Sequence, residues 1–119
     1  MKITIASTGR GIKSEVSPIF GRSRDFITLE MEDGELKNME EHANPFQKEK
    51  GAGSLAAQYL VDNKVEILIT GKLGNVAFRL LNKEGIKVYK GSMGTVEKNI
   101  KLFQESKLKE ITTLQGGFN

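Results

Sequence analysis

Apolar positions recur along this chain in two periods, and the switches between them mark its elements. Residues 2–6 form a short apolar run, Ile3, Ile5 and Ala6 interleaved with Thr4, suited to a buried strand. No helix follows; the chain enters a long stretch rich in Gly, Ser and base that ends Pro18-Ile19-Phe20-Gly21-Arg22. Asp25 to Met31 carries Phe26, Ile27, Thr28, Leu29 and Met31, the β-branched and aromatic mixture of a strand. Glu32-Asp33-Gly34-Glu35 supplies an Asp-Gly hairpin turn, and Leu36 to Glu41 returns as a charged edge strand. Residues 42–51 read as a loop, because Pro45 denies a ladder bond and biases Asn44 away from helix.

The period then lengthens. A helix is expected from Gly53 or Ser54, with Ser54 as N-cap and Leu55, Ala56, Tyr59 and Leu60 on one face. Val65 to Thr70 is a nearly continuous apolar run, as in a strand covered on both faces. Asn75 to Lys83 reads as a second helix with Val76, Ala77, Leu80 and Leu81 on one face and Gly85 as its C-terminal stop. Ile86 to Tyr89 is a further strand. Gly94 and Thr95 open a last helix with Val96, Ile100 and Phe103 at helical spacing. Lys107 to Asn119 has weak periodicity and ends Gly116-Gly117-Phe118-Asn119, so that tail is expected to fray.

The order β, loop, β-hairpin, α, β, α, β, α predicts an α/β fold. Right-handed crossovers place helices on both faces of one mixed five-stranded sheet in spatial order 3-2-1-4-5, with strand 2 antiparallel. This is also the ribonuclease H-like arrangement. Residues 1–106 form a single domain and residues 107–119 a tail. The order reverses between the first and fourth strands, and ligands in such sheets bind at the carboxyl ends of strands flanking that point.

Composition narrows the chemistry. The chain has 119 residues, no cysteine, one histidine and a formal net charge of +3. Disulfides, thiol nucleophiles and zinc–thiolate sites are excluded. The N-terminus MKITIA is too short for a signal peptide and no run is long enough to span a membrane, so a cytoplasmic protein is expected. Base gathers in residues 10–24 (Arg10, Lys13, Arg22, Arg24 against Glu15) and acid in residues 30–41 (Glu30, Glu32, Asp33, Glu35, Glu40, Glu41 against Lys37). No basic stripe is interleaved with aromatics, so nucleic acid is not an expected partner.

Catalytic motifs are missing as well. A two-metal nuclease needs carboxylates on the first and fourth strands, but Asp occurs only at 25, 33 and 62. Gly9-x-Gly11 and Gly71-x-x-Gly74 are neither a dinucleotide fingerprint nor a P-loop. A triad would depend on His42, which follows an acidic edge strand and lies near no nucleophile elbow. With no acid–base pair in view, the expectation is a binding protein rather than an enzyme.

What remains is an anion cradle. Ser7, Thr8 and Gly9 leave the first strand, and Gly71, Lys72, Leu73, Gly74 and Asn75 leave the fourth and lead into a helix N-terminus, which favours negative charge. Arg10, Arg22, Lys72 and Arg79 would add long-range charge. A plainer role is open for the same residues: Gly71 and Gly74 turn a short loop into a helix, and Phe20 anchors the long loop while Gly21 turns the chain back.

The opening KITIAST…SEVSPIFGRS, the Gly51-Ala52-Gly53 entry to a helix with Ala56-Ala57-Gln58, and Val65-Glu66-Ile67-Leu68-Ile69-Thr70-Gly71-Lys72-Leu73-Gly74-Asn75-Val76-Ala77-Phe78 before Gly85-Ile86-Lys87-Val88-Tyr89 together resemble the dinitrogenase iron–molybdenum cofactor-binding family. The resemblance covers nearly the whole chain. It implies a ribonuclease H-like fold and a non-enzymatic carrier of an anionic metal–sulfur cluster: iron–molybdenum cofactor, its iron–sulfur precursor, or a molybdenum–copper–sulfide cluster. On that resemblance Ser7, Thr8, Gly9, Gly71, Gly74 and Asn75 would supply donors, Arg10, Arg22 and Lys72 would balance charge, and Phe20 would wall the site. Nitrogenase-linked members tend to carry a His before the Phe-Gly; this chain has Ile19 there. The alternative is an adaptor docking a partner such as an iron–sulfur assembly ATPase, the protein being a monomer or weak homo-oligomer.

Overall fold

In the computed structural model, which describes residues 1–114, six strands form one mixed sheet around the first. β1 (Lys2–Ser7) pairs antiparallel with β2 (Asp25–Glu32), which pairs with β3 (Glu35–Ala43) as a hairpin. On its other side β1 runs parallel to β4 (Ile67–Thr70), and β4 to β5 (Lys87–Lys90). The spatial order is β3-β2-β1-β4-β5-β6, so the expected 3-2-1-4-5 core is present. Asp33 and Gly34 both take positive φ (52° and 80°), as a two-residue turn with the twist of its strands demands.

The sixth strand corrects the sequence reading. β6 (Lys109–Ile111) lies in the tail expected to fray, paired antiparallel with β5. Ile111 and Leu114 cover one core while Leu108 covers the other, and that two-sided burial holds a segment of weak β-propensity in place. The terminal Gly116-Gly117-Phe118-Asn119 lies outside the described residues.

Helices cover both faces. Ala6, Phe26, Leu68 and Val88 point toward α1 (Ala52–Asp62) and α2 (Asn75–Lys83), burying Ala56, Ala57, Leu60, Ala77 and Leu81. Ile3, Ile5, Ile27, Leu29, Ile67 and Ile69 point the other way, toward Val96 and Ile100 of α3 (Val96–Gln104). Each such Leu, Ile or Phe removed from water contributes about 1.5–3 kcal/mol before entropy is charged against it. The alternation along β1 and β4 is therefore a two-sided core, which is why both read as apolar runs.

Helix starts differ from expectation in one place. α1 begins at Ala52, not Gly53 or Ser54, and its cap is Gly51 in the left-handed region (φ 74°), with no side-chain hydrogen bond. Only a residue without Cβ turns there cheaply, which lets the chain enter the helix directly from the loop after β3.

Candidate functional site

The gap between the carboxyl ends of β1 and β4 is filled by the chain itself. Ser17 N–H donates to the Ala6 carbonyl (2.8 Å), Gly71 N–H to the Ser17 carbonyl (3.0 Å), Lys72 N–H to the Pro18 carbonyl (2.8 Å), and Phe20 N–H to the Lys72 carbonyl (2.8 Å). Residues 17–20 thus lie across the switch point. A Cβ on Gly71 would stand 2.5 Å from the carbonyl oxygens of both Ser17 and Pro18, so glycine is required by the approach of two backbones. The Gly71 and Lys72 amides expected to cradle a ligand already have acceptors.

The first half of the expected cradle is likewise engaged. Ser7 is buried, and its hydroxyl bonds the carbonyls of Gly9 (2.8 Å) and Asp25 (3.2 Å). Thr8 N–H donates to the Glu15 carbonyl, and the Gly9 carbonyl also accepts from the Ser14 hydroxyl. The exposed Arg10 reaches back to buried Asp25, Nε 3.8 Å from Oδ2, an oxygen with no hydrogen-bond partner among the described residues. Ser7, Thr8, Gly9 and Arg10 therefore knit the loop to the sheet.

A concavity opens one element further along. A cavity of about 470 Å³ is lined by residues 19–22, 51–54 and 73–77. It brings together Phe20, Arg22, Gly74 and Asn75 from the expected set and adds the first turn of α1. A single 3-10 turn, Phe20–Arg22, sets this up. Phe20 is fully buried with its ring 5.8 Å from Phe26, so it anchors the loop and borders the cavity without presenting an exposed ring. Gly21 then packs on α1 so tightly that a Cβ would stand 2.5 Å from Gly53 N.

Two helix N-termini meet at this cavity and neither is capped. Gly51 and Gly74, the N-caps of α1 and α2, have no side chain to offer, and neither first turn holds an acid. The first-turn amides of Ala52, Gly53 and Ser54, and of Asn75, Val76 and Ala77, have no acceptor among the described residues. Each helix presents roughly half a positive charge at such an end. The rim is apolar: Ile19 and Val76 are 41 % and 63 % exposed. Arg22 stands at the edge, its guanidinium donating to the carbonyls of Gln47 (2.7 Å) and Glu49 (3.1 Å).

Lys72 and Arg79 do not line this cavity; Lys72 faces a separate hollow. His42, on β3, pairs with Glu40 at 3.1 Å and is not among the residues that line the cavity. No group of three or more His, Asp or Glu side chains among the described residues is placed to hold a metal ion. The site therefore offers hydrogen-bond donors and apolar contact rather than metal-ligand bonds. Residues 51–54 were missed as site residues from the sequence; the available signal was a helix entry, Gly51-Ala52-Gly53, without Ser, Thr, Asp or Asn at its cap.

The family model described as dinitrogenase iron–molybdenum cofactor matches residues 1–106. The chain is 34 % identical over 98 residues to the uncharacterized protein MJ0580 of Methanocaldococcus jannaschii, covering 82 % of this chain and 83 % of that one. A NifB-like protein of Thermotoga has a similar structure (TM-score 0.81, 37 % identity, 96 % of each chain). So has the apo form of the orange protein of Desulfovibrio gigas (TM-score 0.80, 29 % identity, 99 % of this chain and 95 % of that one).

Proposed function

We propose that this chain, which belongs to the dinitrogenase iron–molybdenum cofactor family, carries an anionic metal–sulfur cluster as cargo between the N-termini of α1 and α2. The observation that carries the reading is the convergence of two uncapped helix starts on one cavity of about 470 Å³. Amides of residues 52–54 and 75–77 would donate to bridging sulfides, the helix ends would offset cluster charge, and Arg22 would add a cation at the rim. Large, polarisable sulfide faces fit the apolar walls made by Ile19, Leu73 and Val76 better than compact, strongly hydrated oxyanions would.

The absence of thiols and of a histidine at position 19 shapes the mechanism. Retention rests on hydrogen bonds, shape and charge, so the cargo leaves without breaking a bond between metal and protein. That suits handing a cluster on, and it makes no demand for acid–base groups. The cargo class is iron–molybdenum, molybdenum–copper or iron–sulfur sulfide.

The test is retention of colour. Tetrathiomolybdate, or a reconstituted iron–sulfur cluster, is added to the protein and the charge-transfer bands are followed through gel filtration. Co-elution with wild type and its loss in Val76→Asp is the expected result. Val76 is exposed in the first turn of α2, where an acid stabilises the helix while repelling an anion. No retained band, or equal retention by the folded variant, overturns the reading.

A second reading is favoured by the apolar rim itself. Ile19 and Val76 line the cavity and are exposed, as a surface docking an iron–sulfur assembly ATPase would require. An adaptor of that kind would bind its partner equally with and without added cluster, whereas a carrier would bind and release it according to load.

A further inference from the structure

On the other side of Lys72 a second hollow, of about 430 Å³, opens at the carboxyl ends of β4 and β5 and is closed by the chain leaving β6. Three lysines line it: Lys72, Lys90 and Lys109. The sheet register puts two of them in one row. Thr70 pairs with Lys90 across β4–β5, and Lys90 with Lys109 across β5–β6, so all three side chains stand on one face. Below that row lie Leu68, Val88 and Ile111, all packed in the core beneath α1 and α2.

Directly opposed lysines on an antiparallel pair repel. None of the three makes an ion pair or a side-chain hydrogen bond among the described residues, although other lysines of the chain do. Glu110 also lines the hollow, but it belongs to the alternate position of β6, opposite Tyr89. Thr70, at the head of the row, is wholly buried beneath the hollow rather than lining it, and its hydroxyl has no hydrogen-bond partner among the described residues. The unrelieved like-charge pair, Lys90 opposite Lys109 with Lys72 beside them, is a cost that an anion seated in the hollow would remove.

We propose that this hollow is a second anion site, distinct from the cargo cavity, which takes a small phosphate-bearing molecule with two or more negative groups. Ammonium groups are compact, strongly hydrated point charges that match phosphate oxygens, whereas the cargo cavity offers backbone amides and apolar walls. The hydroxyls of Thr112 and Thr113 border the hollow as further donors, and Ile111 and Leu114 supply an apolar wall. Its volume is that of a small-molecule pocket.

The experiment titrates the isotope-labelled full chain with inorganic pyrophosphate at constant ionic strength and follows amide shifts. Saturable shifts confined to residues 72, 90 and 109–113 are expected, with affinity falling about tenfold or more in Lys90→Gln/Lys109→Gln. The double variant relieves repulsion, so its melting temperature should equal or exceed wild type; Lys72→Gln repeats the measurement without touching the sheet. Lys13→Gln should leave the affinity unchanged. Parallel titrations with ATP and inorganic phosphate separate a nucleotide from a free phosphate as the source. Non-saturating shifts spread over surface lysines, or unchanged affinity in both Lys90→Gln/Lys109→Gln and Lys72→Gln, overturn the proposal. Thiomolybdate retention should be untouched by these variants, so this site and the cargo site fail independently.

Discussion

α3 and the pair α1–α2 begin in opposite ways within one small sheet. At α3, Thr95 accepts from the Lys98 amide through its hydroxyl (3.1 Å), and the Val96 and Glu97 amides donate to the Ser14 and Ile12 carbonyls (2.8 and 2.9 Å). Glu97 adds an acid to the first turn. At α1 and α2 the cap is glycine, the first turn has no acid, and the amides face a cavity. A helix end costs stability when its amides have no acceptor, and the chain shows at α3 that it can supply one. The contrast marks the cavity between α1 and α2 more sharply than the glycine content of any loop does.

The strongest way to break that contrast is to unseat the backbone that creates it. Gly71→Ala would force a Cβ against two carbonyl oxygens and should lower unfolding stability by about 2–3 kcal/mol in urea titration, taking cluster retention with it. Gly21→Ala, pressed against Gly53 N, should behave alike. Next in size, adding Ser54→Asp to Val76→Asp would give both open ends the acid that α3 already has. Cluster retention should then fall below detection in the gel-filtration assay while the melting temperature holds or rises.

Thr95→Ala makes the converse change. It should cost about 1 kcal/mol of stability and leave cluster retention intact, since the α3 cap faces away from the cavity. Smallest is the hairpin ion pair, Glu32 to Lys37 at 2.8 Å. The hydrogen bond from Lys37 holds the Glu32 carboxyl below its ordinary 4.5, so the pair's contribution is present above that pH and is lost as pH falls through the lowered value. Lys37→Met should lower the neutral region slightly and leave the acid end unchanged, which flattens the acid limb of the stability curve; the change is small because both groups are exposed.

The comparison also shows which parts of the molecule were legible in the chain. Strands β1, β2 and β4 and helix α2 follow from apolar runs and helical spacing, because each is fixed by burial that the residue pattern records. β6 was not legible: Lys109-Glu110-Ile111 is strand only because β5 offers an edge and two cores offer cover. The reversal of strand order between β1 and β4 was legible from the order of the elements. The occupant of the switch point was not, since the bonds of Gly71 and Lys72 to Ser17 and Pro18 join segments far apart in the chain. Ser54 looked like a cap by residue type, yet the left-handed Gly51 starts the helix earlier and leaves Ser54 in the first turn.

The locked junction between residues 17–20 and 71–72 carries a consequence for time. Its amides can exchange with solvent deuterium only when residues 17–20 lift away from the end of β1 and from residues 71–72, which breaks four backbone hydrogen bonds together. The amides of residues 52–54 and 75–77, which have no acceptor among the described residues, should exchange without any such opening. The molecule thus keeps slow and fast protons within one turn of each other. Arrival of cargo would be recorded as the fast set falling silent while the slow set keeps its pace.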